Sequence, residues 1–172
     1  MNRTVVAIGI GNEWRRDDAV GLYIVRELGR RAPDGVQCLE CGREGTTLMD
    51  RWEHCEAAVI FDAVSAGGPG PGPGAPAGKR FRFDAHQEPL PRQLFCCSTH
   101  ALSIAETVEL ARALNKLPLT LLIYGVQGER FDMGESLSAA VKRSADQIVD
   151  EAGRILPILL KGQSLARAGL DQ

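Results

Sequence analysis

Thr4-Val-Val-Ala-Ile-Gly-Ile10 is followed at once by Gly11-Asn-Glu-Trp-Arg-Arg-Asp-Asp18. The first segment is an unbroken apolar run rich in β-branched residues, the pattern of a strand covered on both faces in a parallel sheet. The second is a turn. It closes on two acids, after which Val20, Ile24, Val25 and Leu28 recur at helical spacing. Acidic residues suit the positive end of a helix dipole, so this stretch reads as strand, loop and helix in succession.

Working outward, Val36 to Glu40 reads as a second strand, Thr46 to Glu53 as a short helix, and Ala57-Ala-Val-Ile-Phe61 as another buried strand ending at Asp62. The alternation predicts parallel βαβ construction. From Ser65 to Lys79 the chain is dominated by Gly, Pro and Ala, which neither donate a regular ladder nor bury side chains, so 65–79 is expected to be a surface loop. Phe81-Arg-Phe83 alternates like a short edge strand, and His86 to Thr99 reads as irregular structure. Ala101, Ile104, Ala105, Val108 and Ala111 line one helical face, and Leu119 to Val126 is a strongly apolar strand. Leu137, Val141, Ala145, Ile148, Ala152 and Ile155 make a closing helix, with Ser138 as its expected cap. Residues 1–160 are read as a single α/β domain and 161–172 as a flexible tail.

The 172 residues are 44% hydrophobic and 24% charged with a formal net charge of −2, a composition that fits an ordinary folded domain. Basic residues are interspersed with acids, which argues against a nucleic-acid partner, since a binder needs concentrated positive charge to displace phosphate counterions. No apolar run is long enough to span a bilayer. Thr4 to Ile10 is already strand-like, leaving no room for a secretory signal, and five cysteines are an odd number, so reduced thiols and a cytoplasmic location are expected.

In open α/β sheets, ligands gather beyond the carboxyl ends of the strands. Asp18 lies just past the first strand, Asp62 closes the third, and His100 lies where the chain enters the helix preceding Leu119. Two carboxylates and an imidazole form a mixed oxygen and nitrogen set suited to a borderline divalent ion such as nickel or zinc. Each also has a plainer reading. Asp17 or Asp18 serves as a helix cap, with Asp17 the better fit. Asp62 begins a turn, and His100 is a first-turn polar residue. Only their convergence on one edge favours a site.

Gly9-Ile-Gly-Asn12 followed by Arg16-Asp-Asp-Ala-Val-Gly21 resembles the opening signature of the hydrogenase maturation proteases. Ile60-Phe-Asp-Ala-Val64 resembles that family's strand-Asp segment, and Ser98-Thr-His-Ala-Leu102 with Glu106 its histidine segment. Ile123-Tyr-Gly-Val126 and Leu137-Ser138 are similar to its late strand and last helix entry. In order, these cover the stretch from Thr4 to Leu156. The resemblance implies a three-layer α/β fold, a twisted, mostly parallel five-stranded sheet packed between helices. It also implies an endopeptidase that removes the C-terminal extension of a [NiFe] hydrogenase large-subunit precursor after nickel insertion. Asp18, Asp62 and His100 would be its catalytic and metal-contacting residues, the nickel being supplied by the substrate, with no organic cofactor. Two departures stand out. Glu40-Cys-Gly-Arg-Glu-Gly45 replaces an Asp-Gly-Gly-Thr-like segment, and the Gly/Pro insertion after Asp62 is longer than the family needs.

Two other classes are weighed, a small-molecule or nucleotide enzyme and a non-catalytic maturation partner that checks metal loading. The dinucleotide signature is incomplete, since after Gly9 and Gly11 the next glycine is Gly21, and Glu13 would repel a pyrophosphate. The resident-zinc motif His-Glu-x-x-His is absent. Ser98 and Thr99 beside His100 fit helix capping better than a nucleophile. Cys38 and Cys41, three apart in a strand, face opposite ways, and Cys96-Cys97 are vicinal, so small buried thiols are expected for both pairs.

Overall fold

A computed structural model describes residues 4–42, 45–65, 74–95, 103–163 and 165, with backbone alone described at 45–47. The strands are β1 (Val5–Ile10), β2 (Val36–Cys41), β3 (Ala57–Val64), β4 (Arg80–Asp84) and β5 (Thr120–Gln127). The α-helices are α1 (Val20–Gly29), α2 (Gly45–Trp52), α3 (Ile104–Ala113) and α4 (Ala139–Leu160). The strands form one five-stranded sheet in the order β2-β1-β3-β5-β4. All neighbours are parallel except β4, which runs antiparallel on the outer edge of β5.

The three-layer α/β architecture follows from the period-two alternation within each strand. Val5 and Ala7 of β1 with Val59, Phe61 and Ala63 of β3 pack under α1 and α4, against Ile24, Leu28, Ile148 and Ile155. Val6, Ile8 and Ile10 with Ala58, Ile60 and Val64 pack on the other face under α2 and α3, against Leu48, Trp52, Ile104 and Val108. Every residue of β1 and β3 is buried, so both faces are covered, as uninterrupted apolar strands require. Cys38 packs with the first cluster and Cys41 with the second, so the two thiols do lie on opposite faces.

Several boundaries move. The third strand does not end at Phe61 but continues to Val64, because β5 goes on pairing with it through Val64↔Gln127. Asp62 is thus a strand residue opposite Gly125 rather than the start of a turn. The closing helix starts at Ala139 and runs to Leu160. Ser138 occupies its N-cap position without making a side-chain cap bond, for a reason given below. The Gly/Pro stretch at 66–73 and the segment 96–102, which holds Cys96, Cys97, Ser98, Thr99 and His100, lie outside the described residues. Past 163, Leu165 is described and joins the core beneath α4. Among the described residues no helix is long and apolar enough to cross a membrane.

Candidate active site

The connection from β1 leads to β2 on one side, while β3 lies on the other. The chain therefore diverges between β1 and β3, and such a switch point leaves a crevice beyond the strand ends. Three glycines draw the following helix onto this crevice. A Cβ on Gly21 would lie 2.3 Å from the carbonyl oxygens of both Ile10 and Phe61, and one on Gly9 would lie 2.1 Å from the Gly21 carbonyl oxygen. A Cβ on Gly11 would meet the Asp18 carbonyl oxygen at 2.0 Å. The backbone of the first helical turn thus rests on the ends of β1 and β3, at Phe61, the residue before Asp62.

Between β1 and α1 the chain makes a single 3-10 turn, Arg16–Ala19, entered through Arg16 at φ 45. That left-handed conformation is costly for a residue with a Cβ. Long-range contacts hold it there. The Arg16 amide donates to the Gly134 carbonyl at 2.8 Å, and its guanidinium pairs with Asp132 at 2.9 Å. The turn delivers Asp18, 1% exposed, whose Oδ2 accepts the Asn12 amide at 3.1 Å. Asp62, 6% exposed, accepts the Ala63 amide on Oδ1 at 2.8 Å. By alternation Asp62 shares the sheet face of Ile60 and Val64, the face that α3 covers. His100 precedes the first residue of α3, Ile104, by four positions in the sequence. Two of the three expected site residues are therefore brought to neighbouring strand ends, and the third falls in 96–102. Among the described residues no group of three His, Cys, Asp or Glu side chains is spaced to hold a metal ion.

Asp17 behaves differently from its neighbour and from the expectation of a helix cap. It is completely buried, and its carboxylate reaches the loop between β5 and α4. Oδ2 accepts the amides of Glu129 and Arg130, both at 2.9 Å, and the Ser138 hydroxyl at 3.0 Å. Oδ1 accepts the Ser138 amide at 2.6 Å. The Ser138 hydroxyl is thus spent on Asp17, which is why it does not cap α4 in the usual way.

Beside Asp18 lies a groove of about 340 Å³, lined by Gly11, Asn12, Glu13, Trp14, Leu22, Arg26, Glu40, Cys41 and Gly42. Arg26 holds Glu40 through two parallel bonds of 2.8 Å and reaches Glu13 at 3.2 Å. Hydrogen bonding to this guanidinium lowers the Glu40 carboxyl below the ordinary glutamate range. Glu40 belongs to the segment that departs from the familiar Asp-Gly-Gly-Thr pattern, and the departure is answered by an arginine one helix away. Sequence reading missed this pairing because nothing local links positions 26 and 40.

The sequence profile of the hydrogenase maturation proteases matches residues 22–155. The hydrogenase expression/formation protein HupD of Thiocapsa roseopersicina is 33% identical over 151 residues, covering 86% of this chain. The chain spans 65% of the length of that relative. The hydrogenase 2 maturation protease of Escherichia coli K12 is 26% identical over 151 residues, covering 86% of this chain and 87% of that protein. Among solved structures, the hydrogenase maturating endopeptidase HybD of Escherichia coli superposes with a TM-score of 0.69 at 22% identity, covering 87% of this chain and 89% of the other. A [NiFe] hydrogenase maturation protease from Thermococcus kodakarensis gives 0.68 at 21% identity, covering 91% and 94%. These likenesses bear on the fold.

Proposed function

This chain belongs to the hydrogenase maturation protease family, and from that membership we propose that it is an endopeptidase that removes the C-terminal extension of a [NiFe] hydrogenase large-subunit precursor. The observation that carries the reading is that adjacent strands each bear a buried carboxylate toward the carboxyl end, Asp18 just past β1 and Asp62 near the end of β3. Burying ionisable groups at a strand edge is costly unless they are held by donors, and both receive a backbone amide here. They are in this way pre-oriented before substrate arrives.

Nickel enters as part of the substrate. Asp18, Asp62 and His100 would complete its coordination, a set of oxygen and nitrogen donors that suits a borderline divalent ion. The ion would supply Lewis acidity to the scissile carbonyl. The chain's own contribution is to position the peptide and hold a carboxylate where it takes a proton from the attacking water. No organic cofactor is needed for such a hydrolysis. The reaction would take place in the cytoplasm, on the freshly assembled large subunit.

The test uses the purified chain with nickel-loaded and nickel-free precursor, followed by intact mass. Loss of the tail from the loaded precursor alone supports the reading. Equal cleavage of both removes nickel-gated recognition. Stable binding with no loss of the tail would replace the peptidase by a partner that only checks metal loading.

A further inference from the structure

The groove beside Asp18 has a charge pattern that hydrolysis does not need. Glu13 and Glu40 face one guanidinium, that of Arg26, so among the described residues the lining keeps one negative charge in excess. The charge is unevenly placed. Both carboxylates are half-exposed, but Glu40 engages Arg26 through both oxygens, whereas Glu13 contacts it through Oε2 alone. Next to Glu13, the Trp14 indole is 54% exposed, although a large aromatic side chain ordinarily seeks cover.

Both side chains are displayed by a fixed turn. The Asn12 side-chain oxygen accepts the Trp14 amide at 3.0 Å, the Asn12 carbonyl accepts the Arg15 amide at 3.1 Å, and the Asn12 amide is the donor to Asp18. The groove therefore begins at Asn12, whose amide is bonded to the candidate catalytic acid.

We infer that this groove seats a cationic side chain of the substrate polypeptide, close to the scissile bond, with Glu13 as counter-ion and the Trp14 indole as platform. An acidic group and an aromatic face side by side are the two features that hold a guanidinium or ammonium at a surface. Arg26 does not oppose this, since Glu40 satisfies its charge. The volume is that of a small-ligand site, ample for one long side chain. The inference rests on the peptidase reading for the identity of the polypeptide, though not for the charge it must carry.

The experiment has two arms, both with the full chain. In the first, the Trp14 indole N–H resonance, assigned by its loss in Trp14→Leu, is titrated with acetyl-Gly-Arg-Gly-amide and acetyl-Gly-Glu-Gly-amide. The arginine peptide should shift it saturably, the glutamate peptide should not, and Glu13→Gln should weaken the arginine titration by about fivefold. Equal shifts from both peptides, no shift from either, or unchanged binding in Glu13→Gln would overturn the inference. In the second arm, Glu13→Lys is assayed on precursor and on precursor whose tail-proximal basic residues are replaced by Glu. A raised KM with kcat retained, restored by the reversed precursor, supports the groove. Equal KM for Glu13→Lys and the unaltered chain discards the groove and leaves the peptidase standing. Selective arginine binding with no cleavage by the unaltered chain discards the peptidase and leaves the groove.

Discussion

The carboxylate of Asp17 accepts the backbone amide of Ser138 at 2.6 Å across a sequence separation of 121 residues. The turn that carries the candidate catalytic acid Asp18 is thereby tied to the entry of α4. Asp18 is placed by its neighbour's bonds as much as by its own.

Replacing Asp17 by Ala should cost about 3 kcal/mol, because the amides of Glu129, Arg130 and Ser138 all lose the fully buried carboxylate that accepts their part-buried bonds. Ser138→Ala removes only the hydroxyl and should cost about 1 kcal/mol. Urea denaturation of both variants gives the two values. A loss below 1 kcal/mol for Asp17→Ala would mean that the loop has other anchors.

Gly21→Ala introduces a Cβ against two backbone carbonyls that cannot rotate away. Overpacking of this kind costs about 1–3 kcal/mol. It should also separate α1 from the ends of β1 and β3, so cleavage ought to fall further than stability alone explains. Parallel measurement of the urea midpoint and of precursor trimming separates the two effects.

Asp62→Asn preserves volume and removes the charge at the crevice. Trimming should fall by about a hundredfold or more while the melting temperature changes little. Retention of the original rate would take Asp62 out of the chemistry.

In acid, Glu40, Asp132 and Asp146 are the carboxylates to watch. Hydrogen bonds from Arg26, Arg16 and Tyr23 respectively lower each below its ordinary range. A depressed folded-state pKa means that the unfolded chain binds more protons, so the stabilisation is present above the unfolded value near 4 and is lost as pH falls through the folded one. Stability should decline on acidification below about pH 4.5. Glu40→Gln should flatten part of that slope.

At the alkaline end, both tyrosines of the chain are held above their ordinary value, Tyr23 chiefly by its bond to Asp146 and Tyr124 chiefly by burial. The folded protein should show little tyrosinate absorbance near pH 10, while the urea-unfolded chain is about half ionised there. Because the folded state keeps its protons longer, this contribution to stability holds below about pH 10 and is lost as pH rises further.

The parallel core strands were legible from sequence because burial on both faces writes itself as uninterrupted apolar runs, and β1, β3 and β5 are just that. The acids Asp18 and Asp62 could be picked out because they follow or close such runs. Strand ends were harder. Ala63 and Val64 extend β3 only because β5 is there to pair with them. Asp17 reads as a local cap in the sequence, whereas its partners lie more than a hundred residues away, where no spacing rule reaches. The Arg26–Glu40 pair was hidden for the same reason. What periodicity encodes is burial, and what it omits is which polar groups meet across the fold.

That latch has a bearing on biosynthesis. A ribosome delivers Asp17 long before Ser138, and β5, which joins β3 to the edge strand β4, follows every other described strand. A nascent chain therefore carries Asp17 and Asp18 early but lacks the clasp that sets their turn until Ser138 has been made. Synthesis from the amino end thus leaves the crevice beside Asp18 unclasped until the start of α4 has been made.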